Sequence, residues 1–392
     1  MYEATLQAGT RVASPSPDPW DGTERGADWT RLDTPALIVD LDRLDHNIAS
    51  MVHHARRAGL ALRPHFKTHK STAIARRQLA AGAVGITVAK LDEAEALIDD
   101  GIEASILLAY QVVAAPKIDR AIRLAAKGRL ILAIDSAAGA TTLARSASAA
   151  GSRLDVWIEI DSGLKRCGVV VAEAAALAHL VSGLDALRLT GMFTHAGQSY
   201  AAKDEGEVEA IAALEASSVV DAALTTRAIG IPVETVSAGS TPTARFLTSA
   251  SGLTEMRPGT YVFYDELQVA LGTTQREHCA LSVATTVISR PAADRAVIDA
   301  GSKTFGLDQG AHSSSLLTEY GHLVDATGAL VRLSEEHGVL EIPTDSPIAI
   351  GDRIRVVPNH ACPVSNLGRS FYGIRGRTVE EVISIDASGG VH

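Results

Sequence analysis

From Pro35 onward, short continuous apolar runs alternate with longer stretches whose apolar residues recur at helical spacing. The runs read as buried strands: Ala36–Val39, Leu60–Pro64, Gly85–Ala89, Ser105–Ala109, Arg129–Ile134, Leu154–Ile160, Leu187–Thr194 and Val233–Ser237. Between them, Asp92–Asp99, Lys117–Ala126, Ala137–Ala150, Val171–Val181 and Glu205–Ala223 read as Ala-rich helices. Leu44, Ile48, Met51, Val52 and Ala55 mark another helix, opened by Asp40 and Asp42 where acidic residues complement the helix dipole. Continuous apolar strands separated by amphipathic helices imply parallel βα units. Eight strands predict an α/β fold built on a closed (β/α)8 TIM barrel.

Past about residue 270 the texture changes. Cys279–Ser289, Ala296–Ala300 and Asp352–Val357 are β-branched, partly alternating and punctuated by Gly and Pro. A second, smaller antiparallel β-domain is expected there. Residues 1–32 hold Pro15, Pro17, Pro19, Gly22 and Gly26 with little periodicity, and read as an N-terminal arm. The expected division is therefore arm 1–32, barrel 33–270 and β-domain 271–392.

The 392 residues suffice for a barrel and a smaller partner; 46% hydrophobic content with 4% aromatics gives an aliphatic core. Net charge is 36 − 46 = −10, which disfavours nonspecific binding to nucleic acid or an anionic membrane. Cys167, Cys279 and Cys362 are odd in number and widely spaced, so no disulfide framework is implied. The first residues lack a basic region followed by an apolar one, and no apolar run is long enough to span a bilayer. A soluble cytoplasmic protein is expected.

In a parallel barrel, functional groups sit on loops after the strand C-termini. The polar, Gly-bearing clusters of this chain fall there. Arg63-Pro64-His65-Phe66-Lys67-Thr68-His69-Lys70 lies where a strand hands over to a helix. Lys67 is either a solvated surface lysine or a Schiff-base former whose neighbours lower its pKa. Gly163-Leu164-Lys165-Arg166-Cys167-Gly168 follows a later strand, and Thr194–Tyr200 the next, bringing His195, Gln198 and Tyr200. Ser237–Thr243 contains Gly239, Ser240 and Thr241, small residues that suit either a phosphate cradle or a plain turn. Arg257–Tyr261 is a turn carrying an Arg and a Tyr. Asp299, His312 and His322 read as structural or surface residues. In Pro358-Asn359-His360-Ala361-Cys362-Pro363, imidazole and thiol two residues apart suit Zn²⁺, though two ligands alone make a weak site.

The Arg63–Lys70 motif, the Thr194-His195-Ala196-Gly197 loop and the Pro358–Pro363 motif together resemble the D-serine dehydratase and D-threonine aldolase family. The resemblance runs from about residue 33 to the C-terminus and implies a pyridoxal-phosphate enzyme of the alanine-racemase-like fold. It implies that Lys67 holds the cofactor, with His65 and His195 beside it. Arg166 would lie near the ring, and Gln198 and Tyr200 would contact the cofactor. Gly239, Ser240 and Thr241 would bind the phosphate, with Tyr261 reaching it too. His360 and Cys362 would bind a divalent metal, Zn²⁺ or another such as Mn²⁺. A homodimer is implied.

Aldolase-like members tend to carry Asp where this chain has Cys362, so the resemblance favours zinc and the dehydratase branch. The implied activity is a lyase acting on D-3-hydroxyamino acids, foremost a D-serine dehydratase giving pyruvate and ammonia. The alternatives are retro-aldol cleavage, as in D-threonine aldolase, and 3-hydroxyaspartate dehydration. A pyridoxal-phosphate-binding regulator without turnover is the competing class; the residues after 270 and the His360–Cys362 pair weigh against it.

Overall fold

The computed structural model describes residues 24–324 and 326–392; most of the expected arm lies outside them. Strand β1 (Ala36–Asp40) is followed by the helix Leu41–Arg57. Asp40 caps that helix by accepting the Arg43 N–H, and His54, Arg56 and Arg57 occupy its last turn. Eight parallel strands follow: β2 (Ala61–Leu62), β3 (Gly85–Val88), β4 (Ser105–Gln111), β5 (Leu130–Ile134), β6 (Leu154–Ile160), β7 (Leu187–Thr194), β8 (Thr235–Ala238) and β9 (Glu255–Met256). They pair in the order β2-β9-β8-β7-β6-β5-β4-β3, and the ring closes through the His65–Thr87 bridge. The expected TIM barrel is present.

The barrel is composed differently from expectation in one respect. Ala36–Val39, expected as its first strand, runs antiparallel to 281–284 and parallel to 372–374 in a second sheet. Its place in the barrel count is taken by the two-residue β9. Counted within the barrel, Lys67 therefore follows the first strand and Ser237–Thr243 the seventh.

The second sheet comprises β1 with β10 (Leu281–Ala292), β11 (Arg295–Ile298), β12 (Gly321–Leu323), β13 (Ala329–Leu333), β14 (Gly338–Glu341), β15 (Arg353–Pro358), β16 (Ser370–Arg375) and β17 (Thr378–Ser384). Because β11 also pairs with β10, the strands β10, β11, β14, β13, β12 and β15 close into a small antiparallel ring. Strands β1, β16 and β17 extend from it. Residues 24–32 pack on this extension: Gly26 N–H bonds Val379 O, and Trp29 is buried.

The main apolar core lies between the barrel strands and their helices, and a second fills the β-domain. The barrel interior joins an apolar cluster of Leu107, Ile131, Ala133, Trp157 and Phe193 to a polar network. Arg63 Nε contacts Glu255 Oε2 at 2.9 Å, and the guanidinium lies 5.3 Å from the Trp157 ring centre. Arg257 Nη1 donates to Ser237 Oγ at 2.5 Å and Nη2 to Thr194 O. Buried charge needs such pairing. This network floors the cavity above it. Among the described residues no helix is long and apolar enough to cross a membrane.

Candidate active site

A cavity of about 340 Å³ opens at the C-terminal ends of the barrel strands, the end where this fold carries its sites. His65, Lys67, Arg166, His195, Tyr200, Gly239 and Ser240 all line it. Lys67 sits half-buried on the turn Phe66–Thr68. His65 begins that turn, its Nδ1 accepting the Lys67 N–H at 3.3 Å.

The wall histidines are kept neutral. Burial, with help from the Lys67 charge, holds His65 and His195 well below the ordinary histidine value. His195 Nε2 is buried with no hydrogen-bond partner among the described residues. Burial also raises Tyr200 well above the usual phenol range, and its side chain interacts with Thr260 and Thr241. The phenol therefore stays a donor at neutral pH.

Other expected residues stand around the cavity rather than in its lining. Thr241 is buried, and its Oγ1 accepts the Gly259 and Tyr261 N–H groups at 3.3 and 3.2 Å. Gln198 donates to Ser162 O at 3.1 Å. Tyr261 is fully buried and turns its hydroxyl to Gln78 Nε2 at 3.0 Å. Gly239 adopts φ +105°, open to glycine, but its N–H is committed to Glu215 Oε1 at 2.9 Å. A Cβ there would lie 3.1 Å from Leu247 Cδ1 and 3.5 Å from Met256 Cβ, so glycine suits the packing of this turn.

The structure adds Thr87, Gln111 and Glu159, which the strand pattern hid, to the lining of the cavity, and brings Arg257 and Thr260 of the Arg257–Tyr261 turn there as well. Gln111 and Glu159 contact each other through Nε2 and Oε2. Burial raises the Glu159 carboxyl, opposed by Gln111 and Arg166. Burial lowers Arg257 to about 10, so it remains cationic at neutral pH. His312 is exposed, as expected of a surface residue, and stands beside two lining residues. Its ring centre lies 5.8 Å from that of His195 and 5.4 Å from that of Tyr200. Asp299, in contrast, holds Thr34, Thr285 and the Thr286 N–H within the β-domain.

The helix Ala361–Leu367 carries the His-x-Cys pair to the cavity rim. Cys362 Sγ donates to Thr68 Oγ1 at 3.4 Å, beside Lys67 in the chain. Burial raises the Cys362 thiol, but His360 and Lys67 outweigh it, leaving the thiol below its ordinary value. A thiol biased toward thiolate beside an imidazole suits zinc. Among the described residues no group of three His, Cys, Asp or Glu side chains converges as a ligand set, so water or substrate would complete the coordination.

These residues fit pyridoxal phosphate as well. A half-buried amine, an unpartnered imidazole nitrogen and two arginines share the cavity. At Gly259 a Cβ would lie 2.9 Å from the His65 Cβ, so the wall needs glycine there.

Comparisons with known proteins show the family. The family described as alanine racemase, N-terminal domain, matches residues 39–266, and a serine dehydratase domain matches 280–374. The chain belongs to the D-serine dehydratase and D-threonine aldolase family, with the alanine-racemase-like fold. Within that family it is 39% identical to the D-threo-3-hydroxyaspartate dehydratase of Delftia sp. over 352 residues, 84% of this chain and 91% of the relative. It is 33% identical to a D-threonine aldolase of Arthrobacter sp., covering 96% of this chain and 97% of the relative. The solved structure of the Delftia dehydratase superposes with a TM-score of 0.84 at 35% identity, over 91% of this chain and 98% of that one.

Proposed function

We propose that this protein is a pyridoxal-phosphate- and zinc-dependent lyase that dehydrates D-3-hydroxyamino acids, with D-serine as first candidate substrate, acting as a cytoplasmic homodimer. The observation that carries the reading is the packing of Cys362 on Thr68 at 3.4 Å. It brings the His-x-Cys pair of the β-domain to the residue that follows Lys67, within one chain.

When bound, pyridoxal phosphate supplies an electron sink for charge at Cα, and a divalent cation supplies Lewis acidity at the β-hydroxyl. The chain's own groups do the rest. The Lys67 amine takes the Cα proton of the D-amino acid. Arg166 and Arg257 bring positive charge to a cavity that must hold anionic groups. Neutral His65 and His195 add no competing charge, and the Tyr200 hydroxyl remains protonated to donate. His360 and Cys362 would hold the cation, with Cys362 packed on Thr68 beside Lys67 in the chain. Loss of water from D-serine then leaves aminoacrylate, which takes up water to give pyruvate and ammonia.

Dehydration is favoured over retro-aldol cleavage by Cys362. A second substrate, D-threo-3-hydroxyaspartate, is favoured by the Delftia relative and by the Arg166 guanidinium in the lining, which can pair with a second carboxylate.

Incubation with a panel of D- and L-3-hydroxyamino acids tests the reading. From D-threonine, 2-oxobutyrate is expected; glycine as the main product would convert the assignment to an aldolase. Chelator is expected to stop turnover and zinc to restore it. Lys67→Ala is expected to lose both turnover and the visible absorption of bound cofactor. Retained absorption in that variant would refute the role given to Lys67.

A further inference from the structure

We propose that Asp308 is a positioning residue whose carboxylate fixes the His360 ring with Nε2 free for the cation, an inference that rests on the metal-dependent reading above. Asp308 Oδ2 lies 2.6 Å from His360 Nδ1. A ring that donates its Nδ1–H there keeps the lone pair on Nε2, the tautomer a metal ligand needs. Asp308 itself does not join His360 and Cys362 in a converging three-residue ligand set among the described residues. That separates orienting the imidazole from ligating the metal.

The backbone is built to bring the two side chains together. Asp308 sits just beyond the short helix Ser302–Phe305. Gly306 turns the chain with φ +76°, and a Cβ there would lie 3.1 Å from the Pro363 Cβ. Glycine thus lets this loop close onto the segment that bears His360 and Cys362. Asn359 then ties the loop down. It is buried, and its Nδ2 donates to Gln309 O at 3.0 Å and Glu319 O at 2.6 Å. The residue before the imidazole therefore grips the residue after the carboxylate.

A rival orienter is accounted for. Asp265 also lies near, but its two oxygens are engaged by the backbone: Oδ2 takes the Ala361 N–H at 3.0 Å and Oδ1 the Gln268 N–H at 3.1 Å. The imidazole is left to Asp308.

The test titrates Zn²⁺ into metal-stripped, cofactor-loaded protein against a chromophoric chelator. Wild type, Asp308→Ala and Asp308→Asn are compared, with visible cofactor absorption as the check on an intact site. Asp308→Ala is expected to weaken zinc by about 10- to 100-fold with that absorption unchanged. Asp308→Asn, whose amide oxygen still accepts from Nδ1–H, is expected to recover most of the affinity. Zinc affinity of Asp308→Ala within about threefold of wild type would overturn the inference and leave the lyase reading intact. A wild type without measurable zinc affinity would overturn both.

Discussion

Replacing His69 by Asn is expected to flatten the acid side of this protein's stability profile. The His69 ring is fully buried, its Nδ1 accepts the Ser71 N–H at 3.2 Å, and it meets Phe66 edge-on with centroids 5.0 Å apart. Burial lowers its pKa from 6.5 to about 3. The unfolded chain therefore takes up a proton near pH 6.5 that the folded chain refuses until near pH 3. Stability rises with pH wherever the unfolded state binds more protons. The contribution is complete above about pH 6.5, falls as pH drops through that value, and levels off below about pH 3. Between pH 7 and pH 5 this one ring removes roughly 2 kcal/mol of folding stability, at about 1.4 kcal/mol per pH unit once titration is under way. In His69→Asn the amide oxygen can take the same Ser71 N–H and nothing ionises. Urea unfolding followed by circular dichroism at both pH values, for both proteins, gives the double difference. His65 and His195 are also depressed by burial but are common to both proteins, so they cancel. Wild type is expected to lose about 2 kcal/mol more than the variant on going from pH 7 to 5. Equal losses would show that the folded state accommodates the His69 proton, refuting the burial argument.

Arg63→Met is expected to cost about 3–5 kcal/mol in chemical denaturation, because it strands a Glu255 carboxylate buried inside the barrel. Adding Glu255→Gln is expected to restore part of that loss; no recovery would deny the pairing. Gly197→Ala would place a Cβ 2.6 Å from His312 Cε1 and 2.9 Å from its Nε2. The rim must shift, at about 1–3 kcal/mol, and a raised KM is expected in steady-state kinetics; an unchanged KM would place His312 outside the substrate's reach. Tyr261→Phe removes a hydroxyl bonded to Gln78 rather than one facing the cavity. It is expected to cost about 0.5–1.5 kcal/mol of stability with cofactor affinity, read by fluorescence titration, unchanged; weakened affinity would restore Tyr261 to the phosphate.

The strands that could be read from the chain are those whose residues are apolar on both faces, such as Ile131–Ile134. Two errors have opposite causes. Ala36–Val39 has the same texture as a barrel strand because β10 and β16 flank it and apolar cores cover both its faces. Local pattern carries no record of which sheet supplies the neighbours. Glu255–Met256 was invisible for the opposite reason: it is two residues long, and one of them is a buried carboxylate. The site residues that were legible lie on loops, where Gly, His and Lys break the apolar rhythm. Those that were not, Thr87, Gln111 and Glu159, stand within β3, β4 and β6, where the apolar residues around them read as core.

That pattern is informative about the enzyme itself. The polar barrel floor ties Arg63 to Glu255, Glu255 to Ser237, Ser237 to Arg257 and Arg257 to Thr194. The ends of the neighbouring strands β2, β9, β8 and β7, which carry the loops of Lys67, Arg257, Gly239 and Thr194–Tyr200, are thereby bonded side to side. An apolar floor would pack as tightly but would fix no angular relation between the loops, since dispersion is nondirectional. Hydrogen-bonded charges do fix it, at the cost of burying them. The barrel interior therefore acts as the rigid base that holds the Lys67 amine, the small-residue loop after β8 and Arg257 in register around one cavity.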